Sequence, residues 1–306
     1  MQQSPSSSES PLPRRPDGEQ PIELSRTLDG VTLVGFEWAG DGPPIVMAHG
    51  TGFHARLWDE VARMLPGRRV IALDLRGHGR SSKVEPYAWV RMSADTTWLI
   101  EQLDLHDVIG VGHSMGGYTM TDCARNVQER FAGLVLIDPT IFRPSATSTA
   151  GSLDFVSRRR NEWASPDEMI ERFAPRFPFS AWWPQILRDY ATYGLLPAPS
   201  GEGYVLACPP TVEAAVYAAR DAAGANLHEH LDEITVPVRV LRARHADPGE
   251  QPAPFTTSPT MPDLASSFGN ATDVLLAHLS HFIPMEAPDL VARHIMEVAD
   301  AVRRTK

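Results

Sequence analysis

Apolar positions recur in three different ways along this chain. Up to about residue 140, short unbroken apolar runs (Ile45–Ala48, Val70–Leu75, Val108–Val111, Leu134–Ile137) alternate with helix-like segments (Arg56–Met64, Met92–Leu103, Met115–Val127). The runs are apolar almost throughout instead of at every second residue, which is the pattern of strands buried on both faces. Strands alternating with helices of this length imply a parallel sheet with helices on both sides. Ahead of them, Glu23–Thr27 and Val31–Trp38 flank Asp29-Gly30, a pair that tolerates positive φ and suits a tight hairpin. The alternation resumes with Pro237–Ala243, Val274–His278 and a terminal helix over Asp289–Val302.

Between Ile141 and about Glu233 the alternation stops. This stretch concentrates large aromatics, namely Phe155, Trp163, Phe173, Phe177, Phe179, Trp182, Trp183, Tyr190 and Tyr193. Ser165-Pro166-Asp167-Glu168 reads as a helix start, with Ser as N-cap, Pro at the first helical position and carboxylates in the first turn. A second helix, Val212–Asp221, follows Pro209-Pro210-Thr211. Sheet-type strands lie on both sides of the stretch, so an inserted helical cap explains it better than a separate domain. The expected organisation is a tail at 1–20, a core from 21–140 and 234–306, and a cap at 141–233.

Composition narrows the partners. A net charge of −10 without a basic block argues against nucleic acid and anionic membranes. No apolar run approaches the ~18 residues that a membrane span needs. Residues 1–20 are rich in Ser, Pro and Gln and carry no apolar core of a secretory signal, so they read as a disordered tail. The two cysteines, Cys123 and Cys208, make neither a disulfide framework nor a metal-type spacing, and a reduced cytoplasmic setting is expected.

The chemistry begins at Gly112-His113-Ser114-Met115-Gly116. Gly-x-Ser-x-Gly alone is a modest signal, but this copy follows a strand and opens a helix. That setting gives a sharp turn with the Ser114 hydroxyl projecting from the sheet, a nucleophile beside the positive end of a helix. The alternative is a turn without chemistry. His49-Gly50-Thr51-Gly52-Phe53 follows an earlier strand, and its glycines let the backbone turn an N–H toward a substrate carbonyl. The N–H groups of Thr51 and Met115 are the expected oxyanion donors.

Four pieces in order carry a resemblance. They are His-Gly-x-Gly at 49–52, Asp-x-Arg-Gly-His-Gly-x-Ser at 74–81, Gly-His-Ser-Met-Gly-Gly at 112–117, and the late run Ser280-His281-Phe282-Ile283-Pro284-Met285-Glu286-Ala287-Pro288. With them the sequence resembles the α/β-hydrolase superfamily over roughly residues 30–140 and 235–303. The resemblance implies the α/β-hydrolase fold and a catalytic triad. It places the general base in the loop after the last strand, at His281, with His278 as rival. It gives His49, His78 and His113 no role as base. His228-Glu229-His230 has metal-like spacing but no third ligand cluster nearby, and reads as a solvated cap loop. The acid's usual location follows the strand Val238–Ala243, which selects Asp247. Asp138, at the end of the strand after Ser114, is the alternative.

A serine with a histidine base and two N–H donors performs acyl transfer to water. Serine in place of aspartate at the turn argues against the epoxide hydrolase and dehalogenase branches. A carboxylic ester hydrolase for a small apolar or aromatic ester is the expectation, with no metal or organic cofactor. Hydrolysis of a carbon–carbon bond or an enol lactone and cofactor-free perhydrolysis are the rival reactions. A ligand-binding protein on the same scaffold is the non-enzymatic rival. The cap aromatics serve either as pocket lining or as packing between cap helices.

Overall fold

A computed structural model describes residues 12–16, 18–143, 154–221, 225–247, 249–253 and 255–305. The antiparallel pair β1 (Ile22–Leu28) and β2 (Val31–Trp38) turns at Asp29-Gly30, where both residues have positive φ. The chain continues through β3 (Asp41–Ala48), a 3-10 turn at Ala55–Trp58, α1 (Asp59–Arg63), β4 (Arg68–Asp74) and α2 (Trp89–Gln102). It then runs through β5 (Val108–His113), α3 (Met115–Asn126) and β6 (Phe131–Ile137). Among the described residues eight strands form one sheet in the order β1-β2-β4-β3-β5-β6-β10-β11, where β10 is Val238–Ala243 and β11 is Ala271–Leu276. From β4 across to β11 the pairing is parallel; β2 runs against both of its neighbours, so β1 points the same way as β4. This is the α/β-hydrolase fold.

The consecutive apolar residues of the central strands divide between two cores. Val46, Ile71, Leu134 and Leu136 pack on one face with Met92 and Leu99 of α2 and Met120 of α3. Ile45, Met47, Val70 and Val135 pack on the other with Val61 of α1 and with Ile295 and Val298 of the helix Pro288–Thr305. Neighbours in sequence point to opposite faces of a strand, so burial on both faces demands an unbroken apolar run. After β3 the chain passes to β4 on one side, and after β4 it crosses to β5 on the other. The loops that follow β3 and β5 therefore flank a topological switch point, where α/β sheets hold their ligands.

Between β6 and β10 the chain leaves the sheet. This excursion contains α4 (Asp154–Ser157), β7 (Glu162–Trp163), α5 (Pro166–Phe173), α6 (Pro184–Tyr193), β8 (Leu195–Pro197), β9 (Tyr204–Leu206) and α7 (Pro210–Ala218). Ser165 caps α5 as its sequence suggests, its Oγ accepting from the Glu168 N–H at 3.1 Å. The excursion is not purely helical, because β7, β9 and β8 form a small antiparallel sheet. Strands of two or three residues are too short to leave a period in the sequence. Trp163, Phe173, Phe179, Trp182 and Tyr190 make one cluster that reaches Leu57, Phe282 and Met285 of the main body. The side chain of Phe155 lies outside the described residues.

Three other expectations need correction. β11 stops at Leu276, so His278 sits exposed in the following turn instead of in a strand. The second helix of the excursion is shorter than its pattern suggests, since α7 ends at Ala218 and Ala219–Asp221 is a 3-10 turn. The tail expected over residues 1–20 does not extend to Arg15; residues 1–11 lie outside the described residues. Arg15 is 5% exposed and donates to the backbone carbonyls of Ala62 (3.0 Å), Ala39 (2.8 Å) and Arg68, and to Glu19 (2.7 Å). Its donors satisfy carbonyls just past β2, near the end of α1 and at the first residue of β4, which no Ser- and Pro-rich composition discloses. Arg15→Ala strands those acceptors at a cost of about 1–3 kcal/mol. Thermal melts should show Tm lowered by several degrees, and an unchanged Tm would contradict the clamp.

Candidate active site

The turn from β5 into α3 is built by backbone crowding. Ser114 has φ 55° and ψ −118°, a conformation a side chain rarely adopts, and it precedes the first helical residue, Met115. A Cβ at Gly112 would lie 2.1 Å from the Gly116 carbonyl oxygen, and one at Gly116 would lie 2.1 Å from that of Ala48. Only glycine permits both approaches, which bring the start of α3 against the end of β3. The Thr51 hydroxyl then reaches the Met115 sulfur at 3.3 Å, tying the two loops together. The N–H of Met115, at the first position of α3, has no acceptor within its own helix.

Ser114 is partly exposed, whereas His281 is 4% exposed on the loop after β11. The Ser114 hydroxyl stands 3.1 Å from His281 Nε2, and His281 Nδ1 stands 2.7 Å from Asp138 Oδ2. With the ring proton on Nδ1, the serine donates to Nε2 and the imidazole donates to the carboxylate. Ser280 and Glu286 brace this loop: the Glu286 carboxylate accepts from the Ser280 N–H at 3.1 Å and from its hydroxyl. His113 donates from Nε2 to the His281 carbonyl at 2.8 Å, so the residue before the serine also positions the imidazole.

The carboxylate opposite His281 is Asp138, and the selection of Asp247 is corrected accordingly. Asp247 is exposed in the loop after β10, where its N–H donates to Glu250 at 2.9 Å. Asp138 follows β6 with φ 45° and is fully buried. Its Oδ1 accepts from the Ala243 N–H (3.1 Å), the Ser258 hydroxyl and the Thr260 hydroxyl (3.2 Å). Burial alone would push this carboxyl up, but the hydrogen bonds from His281, Ser258 and Ala243 outweigh it and hold it below the usual range. β6 and β10 are adjacent parallel strands, with Ile137 beside Leu241, so their tips lie side by side. The loop leaving β10 carries Asp247 out to solvent and then returns with Ser258 and Thr260 to the acid from β6, which Ala243 of β10 also caps.

The other histidines hold the frame. His49 accepts from the Leu75 N–H at 3.1 Å and donates to the Gly50 carbonyl at 2.8 Å. His78 accepts from the Gly52 N–H at 3.0 Å and donates to the Arg76 carbonyl at 2.9 Å, which anchors the glycine loop. That tie from His78 is a site feature not anticipated in the sequence. Burial depresses His49 and His113 to about 3 and His54 to about 4, and holds His78 well below the ordinary value. His228 meets Ser267 at 3.3 Å, and His230 meets Glu233 at 2.6 Å. Among the described residues no cluster of His, Cys, Asp or Glu could hold a metal ion.

A cavity of about 260 Å³ opens onto Ser114 and His281. Phe53, Phe173, Phe179, Trp182 and Phe282 supply most of its apolar wall, so part of the aromatic cluster lines a pocket. Arg159 and Glu213 from the excursion line it as well, and neither stood out in the sequence. Among the described residues no helix is long and apolar enough to cross a membrane.

The model of the alpha/beta hydrolase family matches residues 45–294. Non-heme haloperoxidase of Rhodococcus erythropolis is 39% identical over 110 residues, which cover 35% of this chain and 39% of that protein. An sn-1-specific diacylglycerol lipase of Xenopus laevis is 35% identical over 121 residues, 38% of this chain and 36% of the lipase. The chain thus spans about two fifths of the length of these curated relatives. The crystal structure of E-2-(acetamidomethylene)succinate hydrolase superposes with a TM-score of 0.71 at 22% identity, covering 91% of this chain and all of that one. At that identity the likeness is one of fold.

The depressed histidines make stability depend on pH. His49, His54, His78 and His113 stay neutral when folded but bind protons once unfolded, so their contribution is complete above ~6.5 and is lost as pH falls toward 3–4. Asp189 acts in the opposite sense, because burial lifts its carboxyl to about 7 and protonation then favours the folded state. Asp59, Asp122 and Glu213 are raised in the same way, but His228, His245 and His294 are depressed as well, and seven histidines against four carboxyls leave a net loss on acidification, on the order of a kcal/mol or more per pH unit. Urea midpoints should fall steadily from pH 7 to pH 5, above the ordinary carboxylate range. A flat profile there would contradict the assignment.

Proposed function

The chain belongs to the alpha/beta hydrolase family, and on that footing we propose that it is a serine hydrolase cleaving carboxylic esters through an acyl-enzyme. The observation that carries this reading is the continuous line from the Ser114 hydroxyl through His281 to buried Asp138, opening on an aromatic cavity. Ser114 attacks the ester carbonyl while His281 Nε2 takes the hydroxyl proton, and Asp138 stabilises the resulting imidazolium. The oxyanion that forms is held by the N–H groups of Thr51 and Met115. Collapse expels the alkoxide, which receives the proton from His281. Water then enters by the reverse sequence, with His281 again as base, and releases the acid and free Ser114.

The anchoring of Asp138 matters because a catalytic orienter must keep its charge. Its depressed affinity for protons keeps it ionised at neutral pH, ready to balance the imidazolium. An ester suits this machinery because its alkoxide leaves readily once protonated. The cavity lies near the lower limit of ordinary small-molecule sites, which favours one ring or a short chain beside the scissile carbonyl.

A fluorophosphonate probe should label the wild-type chain at Ser114, and Ser114→Ala should abolish labelling. Equal labelling of the alanine variant, or none of wild type, would overturn the reading in favour of a ligand-binding protein. With p-nitrophenyl esters, Asp138→Asn should lower kcat by roughly 10⁴-fold, the scale of a lost orienting acid. Asp247→Asn should stay within about twofold of wild type, as expected for an exposed side chain remote from the chemistry. The opposite ranking would restore Asp247 as the acid.

A further inference from the structure

The cavity contains a charge pair that acyl transfer does not use. Arg159, in the turn after α4, donates from Nη1 to the Glu213 carboxylate and from Nη2 to the Tyr190 phenol oxygen at 3.1 Å. Glu213, in the first turn of α7, is 5% exposed. Its carboxylate rests against Gly52, where a Cβ would come within 2.6 Å of Oε1. The pair therefore adjoins the loop that carries Thr51, and both charged residues line the cavity with Ser114 and His281.

Stability alone is a poor account of this pair. A buried ion pair repays its desolvation badly, and apolar residues of similar volume often serve a fold as well or better. The surrounding wall of Phe53, Phe173, Phe179 and Trp182 shows that apolar filling suits this space. A guanidinium has five N–H donors, and the bonds to Glu213 and Tyr190 use two of them. The pair thus offers donors from Arg159 and acceptor lone pairs from Glu213 to whatever enters.

Charge decides what enters. Glu213 already matches the single positive charge of Arg159, so the site is neutral as a unit. A ligand carboxylate would place a second negative charge beside Glu213 on one guanidinium, in a region shielded from water. An uncharged group brings no such penalty: its oxygen accepts from Arg159 and its N–H or O–H donates to Glu213.

We propose that Arg159 and Glu213 form a polar specificity site for an uncharged hydrogen-bonding group, a carboxamide or hydroxyl, carried by the ester that Ser114 cleaves. The proposal rests on the ester-hydrolase reading above. It makes the substrate an aromatic or short-chain ester with a second, neutral polar function, instead of a plain fatty ester or a half-ester of a dicarboxylic acid.

The test compares esters of equal length whose far end is a methyl, a carboxamide or a carboxylate. One series is p-nitrophenyl esters varied in the acyl chain, and the other is acetates varied in the alcohol. Wild type should favour the carboxamide over both others by ~10-fold or more in kcat/KM in at least one series. Glu213→Gln leaves the guanidinium unmatched and should raise the carboxylate-to-carboxamide ratio ~10-fold. Removing one partner of a buried pair can unfold a protein, so Arg159→Met/Glu213→Leu, which buries no lone charge, is made in parallel. In that double variant the carboxamide preference should collapse toward the methyl ester. Wild-type preference for the methyl or carboxylate ester, or retention of wild-type ratios in the double variant, overturns the specificity site. Absence of both ester turnover and fluorophosphonate labelling in wild type overturns the hydrolase reading itself. Turnover without discrimination overturns only the present inference.

Discussion

The carboxylate of Asp138 is where three separate segments of the chain meet, and its burial governs how they are arranged. A charge removed from water must be met by donors, because the cost of leaving it unmet exceeds most single contributions to folding. Here the donors come from Ala243 at the end of β10, from Ser258 and Thr260 in the following loop, and from His281 after β11. Satisfying one carboxylate thus sets the path of the loop leaving β10 and the orientation of the imidazole. The same bonds keep Asp138 ionised, so the arrangement that stabilises the site also suits it to balance a positive ring.

Around that node, imidazoles act as framework. A neutral ring has one donor and one acceptor, which lets it bridge a backbone carbonyl and a backbone N–H in space closed to water. His49 and His78 do this on either side of the glycine loop, and His113 holds the His281 carbonyl. Their burial removes them as bases near neutral pH and makes them structural. This division of labour explains how histidines can crowd a site while one of them faces the serine.

The excursion between β6 and β10 contributes part of the aromatic wall and the Arg159–Glu213 pair to the cavity, both of which depend on residues distant in sequence. Phe53, on the loop after β3, packs edge-on to Trp182 and Tyr190 of the excursion and to Phe282 from the loop after β11. The pocket is therefore a seam between two parts of the chain, and its shape follows from how their aromatic faces interlock.

Features encoded within a few consecutive residues were legible in the sequence. The hairpin at Asp29-Gly30, the doubly buried strands, the Ser165 cap and the glycine-bounded turn at Ser114 each arise from local sterics and side-chain period. His281 was found through a motif tied to its place after the last strand. What needed tertiary structure were choices among groups that folding brings together. Asp138 and Asp247 both follow strands that lie side by side, and only the path of the loop after β10 decides which carboxylate faces His281. Arg15 in a Pro-rich stretch and Arg159 beside Glu213 likewise look like ordinary surface charges, since the partners that bury them are remote in the chain. Local sequence determines backbone shape because its forces act over a few residues. Pairing of buried charges is settled by the packing of whole elements, which no short window of sequence contains.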